Sequence, residues 1–170
     1  VLENAQFAAD KLVLSYSKDA STHLYVYSLD GKELNEIKLP TVGRASFSGE
    51  RGQKECFYSF ASFTVPGTIY QYDMAQNKSS VYTEPKVKFS LNQYTTEQVF
   101  FNSKDGTRVP MFLTYRKGLK RNGKNPVLIY GYGGFNVSLS PNFSSMRIPF
   151  LENGGVYVQV NLRGGSEYGE

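Results

Sequence analysis

Tyr130-Gly131-Tyr132-Gly133-Gly134-Phe135-Asn136 stands directly behind the apolar run Pro126-Val127-Leu128-Ile129-Tyr130, so a strand empties into a glycine-rich loop. Two phosphate-loop readings can be tested on it. A dinucleotide fingerprint needs a third small residue where Asn136 stands, and a Walker loop needs Gly-Lys followed by Ser or Thr; neither is met. What remains is a turn at a strand end that lets backbone come close to a ligand. Beyond it, Phe143, Met146, Arg147, Phe150 and Leu151 give Pro141 to Asn153 a helical rhythm, which stops at Asn153-Gly154-Gly155. Gly155-Val156-Tyr157-Val158-Gln159-Val160 is a second apolar run. Both runs predict central strands of a covered sheet. Upstream, from about Tyr94, Glu97 to Asn102, Asp105-Gly106 and Arg108 to Tyr115 predict a hairpin. Hairpin, strand, glycine-rich loop, helix and strand are the opening of an α/β unit.

Residues 1 to about 90 have a different texture. Leu12 to Tyr16, Leu24 to Leu29 and Glu33 to Leu39 alternate polar and apolar residues between turn signals, and the pattern restarts with Arg44 to Ser48, Glu55 to Phe63, Thr68 to Met74 and Ser79 to Thr83. Laying Leu24-Tyr25-Val26-Tyr27-Ser28-Leu29 over Ile69-Tyr70-Gln71-Tyr72-Asp73-Met74 aligns Tyr with Tyr twice at a period of about 45 residues, the length of a propeller blade. Alternation then predicts that Tyr25, Tyr27 and Leu29 share one face and that Tyr70, Tyr72 and Met74 repeat it. On this reading the chain holds one blade and part of another.

Of 170 residues, 40% are hydrophobic, enough for a packed core, and the 13 Tyr and 12 Phe suit half-buried strands. The net charge of +4 comes from scattered Lys and Arg. The dense cluster Arg116, Lys117, Lys120, Arg121 and Lys124 lies among Gly118, Asn122 and Gly123 without a reading helix or aromatic platform, so it reads as a solvated loop and not as a nucleic-acid surface. The single cysteine, Cys56, sits in an apolar run with no nearby His and reads as a small buried hydrophobe. No run approaches the roughly 20 apolar residues of a membrane helix. Val1 leads straight into strand-like sequence, as in an internal fragment. The triplets at Asn77, Asn136 and Asn142 fit the glycosylation sequon but carry no weight alone.

Three groups of motifs resemble one family. Tyr130 to Phe135, Ser140-Pro141-Asn142 and Asn161-Leu162-Arg163-Gly164-Gly165-Ser166-Glu167-Tyr168-Gly169-Glu170 look like the start of the peptidase domain of the prolyl oligopeptidase family. Ser103 to Thr107 with Val109-Pro110-Met111-Phe112 is similar to its preceding hairpin. Ser62-Phe63, Pro66-Gly67 and Ile69-Tyr70 are similar to its last propeller blade. The likeness is strong after about Gln98 and weaker before. It departs at Ser166, where many relatives have Gly.

The resemblance implies a β-propeller end, residues 1–90, joined to the N-terminal part of an α/β-hydrolase domain, residues 91–170, crossing near Phe89 to Thr96: β-rich, with one main helix. It implies a cytosolic-type serine endopeptidase, monomeric, cutting short peptides after proline under a seven-bladed propeller, with no cofactor, metal, nucleic acid or membrane; a periplasmic parent stays open. In such hydrolases the loop after this strand supplies one oxyanion donor, worth about 3 to 4 kcal/mol of barrier, and here the loop offers either a backbone N–H or the phenol of Tyr132. Carried over by motif, Tyr132 donates its hydroxyl to the oxyanion and Phe135 walls the pocket for the substrate proline. Arg163 and Glu167 are read as a pair bracing the loop after the second apolar strand.

The nucleophile belongs in Gly-x-Ser-x-Gly, followed by Asp and then His. Gly164-Gly165-Ser166-Glu167-Tyr168 fails at its last position, and the only histidine, His23, precedes it beside a hairpin turn. A hydroxyl without a base is a weak nucleophile, so the chain alone is expected to be inactive, with the elbow about 50 to 100 residues past Glu170. The alternatives are a related peptidase of the clan (oligopeptidase B, an acylaminoacyl or a dipeptidyl peptidase) or a non-enzymatic propeller scaffold. Gly133-Gly134-Phe135 favours the proline-specific branch.

Overall fold

The computed structural model describes residues 1–169. Its strands form three four-stranded sheets. The first is an antiparallel meander of β1 (Leu2–Ala8), β2 (Lys11–Lys18), β3 (Ser21–Ser28) and β4 (Glu33–Ile37), and the second repeats it with β5 (Arg44–Ser48), β6 (Glu55–Ala61), β7 (Thr68–Asp73) and β8 (Lys78–Thr83). The two bury a common core: Val13, Leu24, Val26 and Ile37 from one, Phe47, Cys56, Tyr58, Phe60 and Tyr72 from the other. Burying each large apolar side chain contributes about 1.5 to 3 kcal/mol. Burial also pushes the Cys56 thiol up, away from reactivity.

Two complete four-stranded sheets replace the expected blade and part-blade. The missed strand is β1, whose residues are mostly exposed and show no apolar alternation. Backbone pairing with β2 supplies what periodicity does not, from Leu2↔Tyr16 to Ala8↔Lys11 across a bulge. The phase of the repeat also differs by one residue. In β3 the inward residues are Leu24 and Val26, whereas in β7 they are Tyr70 and Tyr72. Tyr25 faces outward, stacked on His23 and edge-on to Tyr16. A one-residue slip flips a strand's faces, so matching Tyr with Tyr paired an outer face with an inner one.

The third sheet has the order β9 (Tyr94–Asn102), β10 (Arg108–Arg116), β12 (Val156–Asn161), β11 (Val127–Tyr132). β9, β10 and β12 run antiparallel, and β11 pairs parallel to β12, joined through α1 (Ile148–Glu152). β12 is covered on both faces, as its apolar run predicts. β11 is not: it is the edge strand, and every residue in it is exposed, because no element among the described residues covers either face. The helix is shorter than its rhythm predicts. Pro149 has no N–H and its ring clashes one turn back, so α-helix can only begin around it; a 3₁₀ turn, Ser145–Arg147, leads in, and Gly154 at φ +81° ends it. No helix among the described residues is long and apolar enough to cross a membrane.

One core joins the first two sheets to the third. Ala20, from the two-residue β2–β3 turn, and Phe63, just after β6, pack with Tyr94, Phe112, Ile148, Leu151 and Tyr157. The Phe63 ring lies 5.5 Å from Phe112 and 5.8 Å from Tyr157 by centroids, and the Arg147 guanidinium sits 4.3 Å from the Tyr157 centroid. Removing the Phe63 ring empties the middle of this junction. Phe63→Ala is expected to cost about 3 to 5 kcal/mol of unfolding free energy in urea denaturation; a loss below about 1 kcal/mol would show that the junction is not packed as described.

Candidate functional site

Tyr132 ends β11, beside Asn161 of β12 in the parallel register, and its side chain is 37% exposed. Its ring folds over the loop that follows: a Cβ built on Gly134 would lie 3.9 Å from the Tyr132 hydroxyl oxygen. Among the described residues the hydroxyl has no hydrogen-bond partner. The neighbouring Gly133 cannot be replaced, because any Cβ there would overlap the Arg163 carbonyl oxygen and the Leu162 Cβ. Two loops are thus packed backbone on backbone at the ends of β11 and β12.

Phe135 and Asn136 both adopt left-handed backbone, φ +52° and +58°, a conformation that costs roughly 1 to 2 kcal/mol per non-glycine residue. The turn presents the Phe135 ring outward, 94% exposed. Residues of the loop after β12 hold it: Asn136 N–H donates to Gly164 O at 3.0 Å, and Ser166 Oγ donates to Asn136 O at 3.0 Å while lying 2.7 Å from Ser138 Oγ. Ser166 is therefore spent on loop structure, and no imidazole is beside it. His23 lies in β3, its Nδ1 3.1 Å from Glu36 Oε1.

Arg163 and Glu167 do not pair. Arg163 reaches across to the β9–β10 turn, where its guanidinium binds Asp105 and lies 3.3 Å from Ser103 Oγ. Glu167 turns inward, 5% exposed, and its Oε1 accepts from Leu139 N–H at 2.9 Å and from Asn161 Nδ2 at 3.1 Å. Neither Asn161 nor Leu139 belongs to a residue pattern that marks a site. Their one sequence signal was a polar residue closing an otherwise apolar strand. Tyr168 donates its hydroxyl to Asp19 Oδ1 at 2.8 Å, and Gln98 Nε2 donates to Asp19 O, so the β2–β3 turn is tied to the same region. Partial burial and that bond push the Tyr168 phenol up to about 12. Glu170, the last letter of the motif, lies outside the described residues.

A polar cleft of about 370 Å³ opens between the inner strands of the first two sheets and this loop, lined by Ser15, Ser17, Thr22, Arg44, Ser138 and Ser140. A larger cavity, about 660 Å³, lies at the other ends of those sheets, among residues 9–11 and 71–78. Neither Tyr132 nor Phe135 lines either cavity. The arrangement at Tyr132 offers a free phenolic donor and an exposed aromatic face three residues on. These suit binding an apolar group while polarising a nearby oxygen.

Residues 1–85 match the family described as prolyl oligopeptidase, N-terminal beta-propeller domain. The chain is 48% identical over 157 residues to the prolyl endopeptidase of Elizabethkingia meningoseptica, spanning 92% of this chain and 22% of that protein. To the prolyl endopeptidase of Dictyostelium discoideum it is 37% identical, spanning 100% of this chain and 23% of that protein. Among solved structures, prolyl oligopeptidase B from Galerina marginata superposes with a TM-score of 0.89 at 32% identity over 99% of this chain and 25% of that one. The chain thus spans a quarter or less of the length of the relatives it matches.

The Arg163–Asp105 link makes one testable point. The guanidinium, and after it the Thr107 N–H, hold the Asp105 carboxyl down at about 2. A depressed folded pKa stabilises the fold above the ordinary carboxylate value and loses that contribution as pH falls toward about 2. Arg163→Gln is expected to move the Asp105 titration midpoint, followed by carbon NMR, upward toward the ordinary value. An unmoved midpoint would remove Arg163 as its cause.

Proposed function

Because the chain belongs to the prolyl oligopeptidase family, we propose that it carries the end of the propeller, residues 1–90, and the opening of the α/β-hydrolase domain, residues 91–170, of a serine endopeptidase that cuts short peptides after proline. The third sheet supports the second part. Its order, first hairpin strand, second, fourth, third, with a parallel outer pair joined by a helix, suits an α/β-hydrolase sheet at its beginning.

The observation that carries the functional reading is the free Tyr132 hydroxyl at the end of the third strand. In this class one oxyanion donor comes from the loop at that point. Tyr132 donates to the oxygen on which charge develops when the scissile carbonyl is attacked, and Phe135 receives the face of the proline ring. The nucleophilic Ser, its His and the orienting Asp belong to a part of the relatives' length that this chain does not span. The His takes the Ser proton during attack and returns it to the leaving amine. Two contacts among the described residues support this reading: Ser166 serves its loop neighbours and His23 binds Glu36.

Two experiments test this. Residues 1–170 alone are expected to release no chromophore from a prolyl chromogenic peptide, and a steady-state rate proportional to protein concentration would sink the account of the missing triad. In the full-length enzyme, Tyr132→Phe is expected to slow acylation about 100-fold or more with little change in thermal stability, as removal of an oxyanion donor does. An unchanged single-turnover rate would take Tyr132 out of the oxyanion hole.

A further inference from the structure

From Gly133 to Ser144 the backbone has neither strand nor helix, yet it carries two consecutive left-handed residues and a fully presented aromatic ring. Such a segment keeps one conformation only if other groups hold it. Leu139 receives the most complete support. Glu167 Oε1 takes its N–H at 2.9 Å, Asn161 Nδ2 gives to its carbonyl at 2.7 Å, and Asn161 Nδ2 also gives to Glu167 Oε1 at 3.1 Å. Two side chains thus present to Leu139 the donor and acceptor that a neighbouring strand would present. Both groups facing the Asn161 amide are acceptors, so it must offer Nδ2, and its buried Oδ1 has no partner among the described residues. Gly165 makes the arrangement possible: a Cβ there would overlap the Glu167 carboxylate. Asn161 is itself held in β12, in register with Tyr132. The loop bearing Phe135 is therefore referenced to the same strand that sets Tyr132.

We propose that Glu167 is a positioning residue for substrate binding: through Oε1 and Asn161 it fixes the loop 133–139 and so holds Phe135 at the depth where the proline ring packs. This rests on the reading of Phe135 as pocket wall. The role is one of reach and not of charge. Glu167→Gln keeps an oxygen at the Oε1 position, whereas Glu167→Asp keeps the charge but withdraws it by one methylene. The two variants separate the explanations.

The experiment uses the full-length enzyme with two readouts, amide exchange of peptides covering residues 133–144 by mass spectrometry and steady-state kinetics on a prolyl chromogenic peptide. Glu167→Asp is expected to speed exchange in that segment about fivefold or more and to raise KM by a similar factor with kcat within about twofold, the effect of losing the two hydrogen bonds at Oε1. Glu167→Gln is expected to restore both. Unchanged exchange in Glu167→Asp, or a Gln variant as impaired as the Asp variant, overturns the proposal. So does an unmoved KM in Glu167→Asp when Phe135→Ala raises it. A Phe135→Ala variant with normal KM removes the pocket-wall reading instead, and exchange at 133–144 then decides alone whether Glu167 holds the loop.

Discussion

Strand β12 is the constraint on which the third sheet depends. Its six residues are buried on both faces and hydrogen-bonded on both edges, to β10 and to β11. Val156, Val158 and Val160 fill one core with Val109 and the residues around it, while Tyr157 on the opposite face joins Phe63 and Phe112. The same strand therefore seals the sheet, anchors the junction with the first two sheets, and delivers Asn161 to the mouth of the glycine-rich loop. Few other segments could be displaced with so many consequences. Side chains at 157, 159 and 161 share one face by alternation, so the step from apolar anchor to polar scaffold happens within five residues.

The loops beyond β11 and β12 show a second kind of organisation. Regular secondary structure stops there, and the backbone's hydrogen-bonding needs are met by side chains from one loop reaching to the other. Ser166, Glu167 and Tyr168 are consecutive, and each ties a different partner: Asn136 and Ser138, Leu139 and Asn161, and Asp19 of the β2–β3 turn. One tripeptide joins the glycine-rich loop, the central strand and the neighbouring meander. Glycine at 133 and 165 is needed because backbone and carboxylate occupy the space a methyl would take.

Much of the architecture is legible in the residues. Alternation over Leu12 to Tyr16, Leu24 to Leu29 and Glu55 to Phe63 marks strands because side chains point to opposite faces, and turn residues delimit them. The hairpin of β9 and β10 and the helix stop at Gly154 follow from the same local rules. What escaped was set elsewhere in the molecule. β1 has no apolar face of its own and exists through pairing with β2. The tyrosines at 25 and 70 look equivalent in sequence, yet they point to opposite sides of their sheets, because register is settled by the neighbouring strand.

Residue order alone carries the strand succession, the glycine-rich loop after β11, the family likeness and the lack of a Gly-x-Ser-x-Gly elbow. Tertiary structure alone decided that Glu167 turns inward to Leu139 and Asn161 while Arg163 crosses to Asp105. Opposite charges four positions apart would face each other on a helix, but this segment is a loop, and its partners are chosen by what packs against it. It also decided that β11 is an exposed edge and not a covered centre. A run of apolar residues records what a strand can tolerate, whereas burial depends on which other elements are there to cover it.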